Sequence, residues 1–209
     1  MRINDAVGLL VSTYLDWGHV LANPRYIRNG NIISWRDSSN PMLAAPVMPE
    51  DINQLAEDKQ YTFQVAEDGA LIQMYYEFEN DGITLKSAML AYYSPAITIY
   101  MPSIPPFVRW LRFDYAPKAA MGVLHHDCHL HISYFPDSRL TVKGLPNPKQ
   151  FIEFILALCY PDIYKKHRLD SSGKYHDNAK QVELNQLSIN LADSELYKQI
   201  THISIPSVP

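Results

Sequence analysis

The stretch 61-YTFQVAEDGALIQMYYEFENDGITLKSAMLAYYS-94 decides the fold. Three β-rich runs, Tyr61–Ala66, Ala70–Glu79 and Ile83–Ser94, are separated by Glu67-Asp68-Gly69 and Asn80-Asp81-Gly82. Asp-Gly readily supplies the positive φ of a tight hairpin turn. Aromatic and β-branched side chains fit the pleated surface on either side. These residues predict an antiparallel meander.

Working outward, Pro95, Pro102, Pro105 and Pro106 space a connection that is expected to cross a sheet edge, because proline gives a ladder no donor. Phe107–Tyr115, His129–Phe135 and a short Leu140–Lys143 read as further strands. A helix follows, with Asn147 as N-cap, Pro148 at the first helical position and Gln150 completing a capping box. Its apolar stripe is Phe151, Ile152, Ile155, Leu158 and Cys159. Beyond Pro161 the chain turns polar. The basic run Lys165-Lys166-His167-Arg168 is expected as a solvated face, or else as the phosphate-contacting edge of an RNA site beside Tyr160 and Tyr164. Residues 170–180 read as a loop and Thr201–Ile205 as a final edge strand.

Toward the N-terminus, the spacing of Ile3, Val7, Leu9, Leu10, Tyr14, Leu15 and Leu21 fits an amphipathic helix over 3–21, capped by Asn4 or Asp5. A strand near Ile32–Arg36 and a helix near Pro49–Asp58 complete the reading. The expected fold is α+β. An antiparallel β-meander sheet is packed by a C-terminal-half helix and an N-terminal helix, in one domain spanning 1–209. The sheet core covers about 61–143, the covering helix about 147–160 and the polar C-terminal region 165–209.

Composition narrows the function classes. Hydrophobic residues make up 47% and charged residues 19%, which a folded core satisfies. A net charge of −4 argues against a whole-surface nucleic-acid binder but leaves room for a local basic groove. No run approaches the roughly 18 apolar residues that span a bilayer. Two cysteines, Cys128 and Cys159, make no disulfide framework, so a cytoplasmic protein with reduced thiols and no membrane contact is expected.

The candidate chemistry lies in His125-His126-Asp127-Cys128-His129-Leu130-His131, which holds four of the eight histidines. Imidazole transfers protons near neutral pH and is the commonest metal ligand. Strand alternation turns His129 and His131 to one face, and Arg112 and Asp114 to one face of their own strand. If the strands are neighbours, these four share a surface suited to orienting imidazoles and neutralising an anionic transition state. Arg139 could add a second phosphate contact. The plainer alternative is a pair of strand-face histidines beside an Arg112–Asp114 ion pair. No cofactor is expected, although His129 and His131 with Asp114, Asp127 or Cys128 could hold a divalent metal. A His-hydrophobic-Ser pattern at His131-Ile132-Ser133 and again at His202-Ile203-Ser204 resembles that of the two-histidine phosphoesterases.

Residues 68–79, the run Leu111–Tyr115, His129-Leu130, and the Pro148 helix with Phe151, Ile152 and Phe154 resemble a bacterial domain-of-unknown-function family, number 2290, over roughly residues 61–165. The family carries a Thr-type residue at the position of His131, which shifts the expected acid/base role to His129. The Arg112-Phe113-Asp114 run, the histidine-rich strand and the proline-capped helix are also similar to TumE-type toxins of bacterial toxin–antitoxin pairs. That likeness implies growth control or phage defence, with a protein partner encoded nearby and RNA as a target. The resulting expectation is a metal-independent ribonuclease or phosphodiesterase using His129, His131 and His125 with Arg112, Asp114 and Arg139. The alternative is a non-catalytic partner-binding subunit whose tyrosine-rich sheet is the contact surface.

Overall fold

A computed structural model describes residues 1–35, 49–95, 109–119, 127–133, 135–142, 144–170, 172 and 174. The described strands are β1 (Leu21–Ala22), β2 (Tyr26–Asn29), β3 (Ile32–Trp35), β4 (Phe63–Val65), β5 (Leu71–Phe78), β6 (Leu85–Tyr93), β7 (Trp110–Tyr115), β8 (Cys128–Ile132) and β9 (Phe135–Thr141). The helices are α1 (Ile3–Trp17), α2 (Pro49–Glu57), α3 (Pro148–Cys159) and α4 (Pro161–Arg168). The fold is α+β, as the sequence predicts.

Strands β4 to β9 run in chain order as one antiparallel meander. Gly69 and Gly82 both take positive φ, +79° and +64°, which is why the two Asp-Gly turns close the first two hairpins there. Asp81 fixes the second turn by accepting from the backbone N–H groups of Ile83 and Thr84. Strand β5 is long enough to share one edge. Near its start it pairs with β4 (Phe63↔Ile72) and near its end with β3 (Ile33↔Tyr76). The β2–β3 hairpin therefore extends the sheet further toward the N-terminus than the meander alone suggests.

Helices lie on both faces of the sheet. On one face α1, α3 and α4 cover a core that includes Leu10, Trp17, Ile72, Met74, Leu90, Phe113, Phe151 and Ile155. Phe151 meets Phe113 edge-on at 6.0 Å between ring centroids. On the other face Ile52 and Leu55 of α2 pack with Trp35, Leu71, Met89, Ala91, Tyr93 and Trp110. The alternation along β6 and β7 feeds both cores, so these central strands are buried on both sides.

The helix boundaries follow local chemistry. Asn147 accepts from the Gln150 backbone N–H at 2.9 Å, and the Gln150 side chain accepts from the Asn147 N–H at 3.0 Å, so the expected capping box forms. At α1 the cap position is Arg2, not Asn4 or Asp5. Asp5 reaches back instead to accept from the Arg2 backbone N–H at 3.0 Å.

Three other expectations change. The single strand His129–Phe135 is two strands, because the chain turns at Ser133 and Phe135 opens β9. Leu158 is 58% exposed, and Leu156 takes its place in the core. The basic run closes α4 with Lys165 and Lys166 exposed, as a solvated face, but Arg168 is buried, and Tyr160 before the helix and Tyr164 within it are buried too, so neither tyrosine is a stacking platform for bases. The Pro102–Pro106 part of the connection and the strand Thr201–Ile205 lie outside the described residues. Among the described residues no helix is long and apolar enough to cross a membrane.

Candidate functional site

The antiparallel register between β7 and β8 sets Arg112 opposite His131 and Asp114 opposite His129. Directly opposed residues project to the same side of a sheet. All four side chains therefore stand on the α2 side, next to the Tyr93, Trp110 and Met89 core. The polar faces that strand alternation defines separately on the two strands do meet. At His131 the pairing of β8 with β9 shifts register, between Leu130↔Leu140 and Ile132↔Phe135. Such irregularities re-aim a side chain locally.

Asp114 is the hub. Its Oδ2 accepts from Arg112 Nε at 3.0 Å and lies 2.9 Å from Arg112 Nη2. His131 Nε2 is 3.3 Å from the same oxygen and His129 Nε2 3.8 Å. The two imidazoles contact each other edge to face, with ring centroids 4.8 Å apart. Asp114 Oδ1, by contrast, is buried and has no hydrogen-bond partner among the described residues. Buried polar atoms are normally satisfied, so an orphan carboxylate oxygen in this position needs a reason.

Accessibility is graded across the group. The side chains of Arg112, Asp114, His131 and His129 are 13%, 10%, 8% and 3% exposed. Arg112 forms the rim and His129 the floor. This order places His131, not His129, closer to both solvent and the carboxylate.

Tyr93 belongs to the same neighbourhood and was not singled out by sequence. It pairs with Trp110 while Ala91 pairs with Arg112, so its ring shares the face. Its hydroxyl is buried without a hydrogen-bond partner among the described residues. Burial raises its pKa well above the usual phenol value, with the Asp114 carboxylate adding to the rise and Arg112 opposing it. Only the β6–β7 register could have identified it, through the continuation Met89, Ala91, Tyr93.

The remaining candidates are dispersed. Arg139 stands on β9 with its side chain exposed. His125 and His202 lie outside the described residues. Cys128 points to the opposite side of β8 from the histidines and pairs with Tyr115. Burial, reinforced by Asp127 and Asp114, pushes its thiol up to about 12, the reverse of an activated thiolate.

A second ionic group joins three helices. Arg168 is buried between Asp16 of α1 and Glu153 of α3, donating to both carboxylates, with its guanidinium 4.4 Å from the centre of the Trp17 ring. The Trp17 indole N–H also donates to Glu153, at 3.1 Å. His167 Nε2 lies 3.3 Å from Asp16 Oδ1, and its ring is 4.8 Å from that of His19. These two histidines border an open cleft of about 560 Å³ with Glu67, Ile163 and Lys166. Satisfied partners on every side mark Arg168 as a structural clasp.

No curated protein and no solved structure matches the chain. One family model does, from residue 22 to residue 205, and on that match the chain belongs to the family described as uncharacterized conserved protein (DUF2290).

Proposed function

We propose that this chain cleaves phosphodiesters, RNA above all, at the Arg112–Asp114–His129–His131 face. The observation that carries the reading is the convergence of two imidazoles and a guanidinium on one buried carboxylate. A carboxylate at that position orients imidazoles, while an arginine at the rim brings positive charge to a phosphate. Arg112, the most exposed of the four, meets the phosphate first.

In this reading one neutral imidazole removes the proton of the ribose 2′-hydroxyl. The 2′-oxygen attacks phosphorus, the bond from phosphorus to the 5′-oxygen breaks, and the departing oxygen takes a proton from the second, protonated imidazole. The products are a 2′,3′-cyclic phosphate and a 5′-hydroxyl, and the chemistry needs no metal. Arg112 compensates the charge that grows on the non-bridging oxygens. His131, nearer the rim, is assigned the base and His129 the acid. The resemblance to TumE-type toxins supplies the setting, a bacterial defence or toxin–antitoxin system with a partner encoded nearby.

The test is untagged purified protein on defined RNA oligonucleotides in the presence of chelator, with the termini identified by mass. His131→Ala is expected to slow cleavage by a factor of about 100 or more, the usual contribution of a positioned acid or base. Arg112→Met is expected to lose a comparable factor. Intact RNA with wild-type protein, or equal rates in folded His131→Ala protein, overturns the proposal.

A further inference from the structure

We infer that the same group is a binding site for a divalent ion of the zinc class, held by His129 Nε2, His131 Nε2 and the Asp114 carboxylate. The three ligand atoms all lie within 4.8 Å of one another, and all three residues are buried. Two imidazoles with one carboxylate form a donor set suited to zinc, cobalt(II) or iron(II).

Distances set the fit. Bonds of about 2.0–2.1 Å to a tetrahedral ion place its ligand atoms about 3.4 Å apart. The His131–Asp114 edge is already 3.3 Å and the His129–Asp114 edge is 3.8 Å. The third edge, between the imidazole nitrogens, lies within 4.8 Å, so closing the site requires the two rings to draw together about the carboxylate. Both Nε2 atoms face the carboxylate, an arrangement that places a cation, either a proton or a metal, between them. Those edges are measured to Oδ2, which also takes the Arg112 contacts, and Oδ1, buried and without a partner among the described residues, gives the carboxylate a second oxygen to offer the cation.

Charge supplies a second consequence. Arg112 and Asp114 neutralise one another, so the ion brings two uncompensated positive charges into a buried place, which costs affinity unless anions follow. Three protein ligands leave at least one open position for such an anion, with Arg112 beside it. Phosphate is thus expected to tighten the ion. The inference rests on ligand geometry and stands apart from the cleavage chemistry. The two are linked by a simple exclusion, because an Nε2 lone pair that holds a metal cannot take a proton. Loading with the ion is therefore expected to silence acid–base cleavage, and chelation to restore it.

The experiment is a titration of untagged, chelator-stripped full-length protein with cobalt(II), followed by its visible absorption. One equivalent is expected to give the intense bands of a four- or five-coordinate ion, quenched by one equivalent of zinc. Inorganic phosphate is expected to shift the bands and lower the cobalt concentration at half-saturation. The His129→Ala/His131→Ala variant, checked for folding by near-ultraviolet circular dichroism, is expected to lose them. If that variant does not fold, His131→Asn under the same titration takes its place. Weak octahedral bands in the wild type overturn the site, as do bands that survive in the folded variant. RNA cleavage assayed in chelator reads the proposed function separately, so binding without cleavage and cleavage without binding each refute one proposal alone.

Discussion

At the scale of single residues, Asp114 decides how the site behaves. It is buried and faces three nitrogen-bearing side chains, so its removal withdraws a charge from a desolvated group. Asp114→Ala is expected to destabilise the protein by about 3 kcal/mol, the usual scale for breaking a buried ionic pair from one side. Urea unfolding measures it, and a change under about 1 kcal/mol would place the carboxylate effectively in solvent. Replacing Arg112 and Asp114 together with Met and Leu is expected to cost less than Asp114→Ala, because no buried charge is stranded. Much of this site was legible in sequence. Period-two alternation fixes Arg112 with Asp114 and His129 with His131, whatever the partner strand. Whether the two pairs meet depends on a register set by the turns and by the apolar residues between them, Leu111 and Phe113 opposite Ile132 and Leu130. Tyr93 was invisible for the same reason, since its place follows from β6–β7 pairing and from no local pattern.

At the scale of elements, α3 and α4 show where local signals suffice and where they fail. Asn147, Pro148 and Gln150 announce the start of α3 within four residues. Asn147→Ala is expected to cost about 1 kcal/mol, visible as a lower thermal midpoint. The second helix has Pro161 at its first position but no side-chain cap, and its polar composition hides a buried Arg168 whose carboxylate partner Asp16 lies 152 residues away in sequence. Arg168→Ala is expected to be worse than either carboxylate deletion, since it strands Asp16 and Glu153 together, and a double variant with Glu153→Ala should recover part of the loss. His167, beside this clasp, gives the helix a pH dependence. Burial lowers its pKa below the usual 6.5, helped by Arg168 and His19 and opposed by Asp16. The folded state therefore binds this proton less readily than the unfolded chain does. Stability from this group is present above pH 6.5 and is lost as the pH falls toward the lower folded value. His167→Gln is expected to flatten that part of the stability curve. An unchanged slope would show that another group carries it.

At the scale of the whole molecule, the family match and the packing disagree about where the folded unit starts. The matched region opens at residue 22, after α1 has ended. Yet Ile3, Ala6, Leu10 and Trp17 of that helix are all 4% exposed or less, in the same core as α3 and the sheet. The attachment is made at both ends. The Ile3 backbone N–H donates to the Gly82 carbonyl at 2.9 Å, which ties the helix start to the β5–β6 turn. Its last residue, Trp17, donates to Glu153 and lies under Arg168. Returning those side chains to water costs about 1.5–3 kcal/mol for each large one, and together they rival the net stability of an ordinary domain. Deleting residues 1–20 is accordingly expected to abolish cooperative unfolding and to expose dye-binding apolar surface, even though the matched region stays whole. A shortened chain that melts cooperatively near the full-length midpoint would mean that α1 is an accessory. In that case the Asp16–Arg168–Glu153 clasp would contribute little to stability, and the steep loss expected for Arg168→Ala should vanish with it.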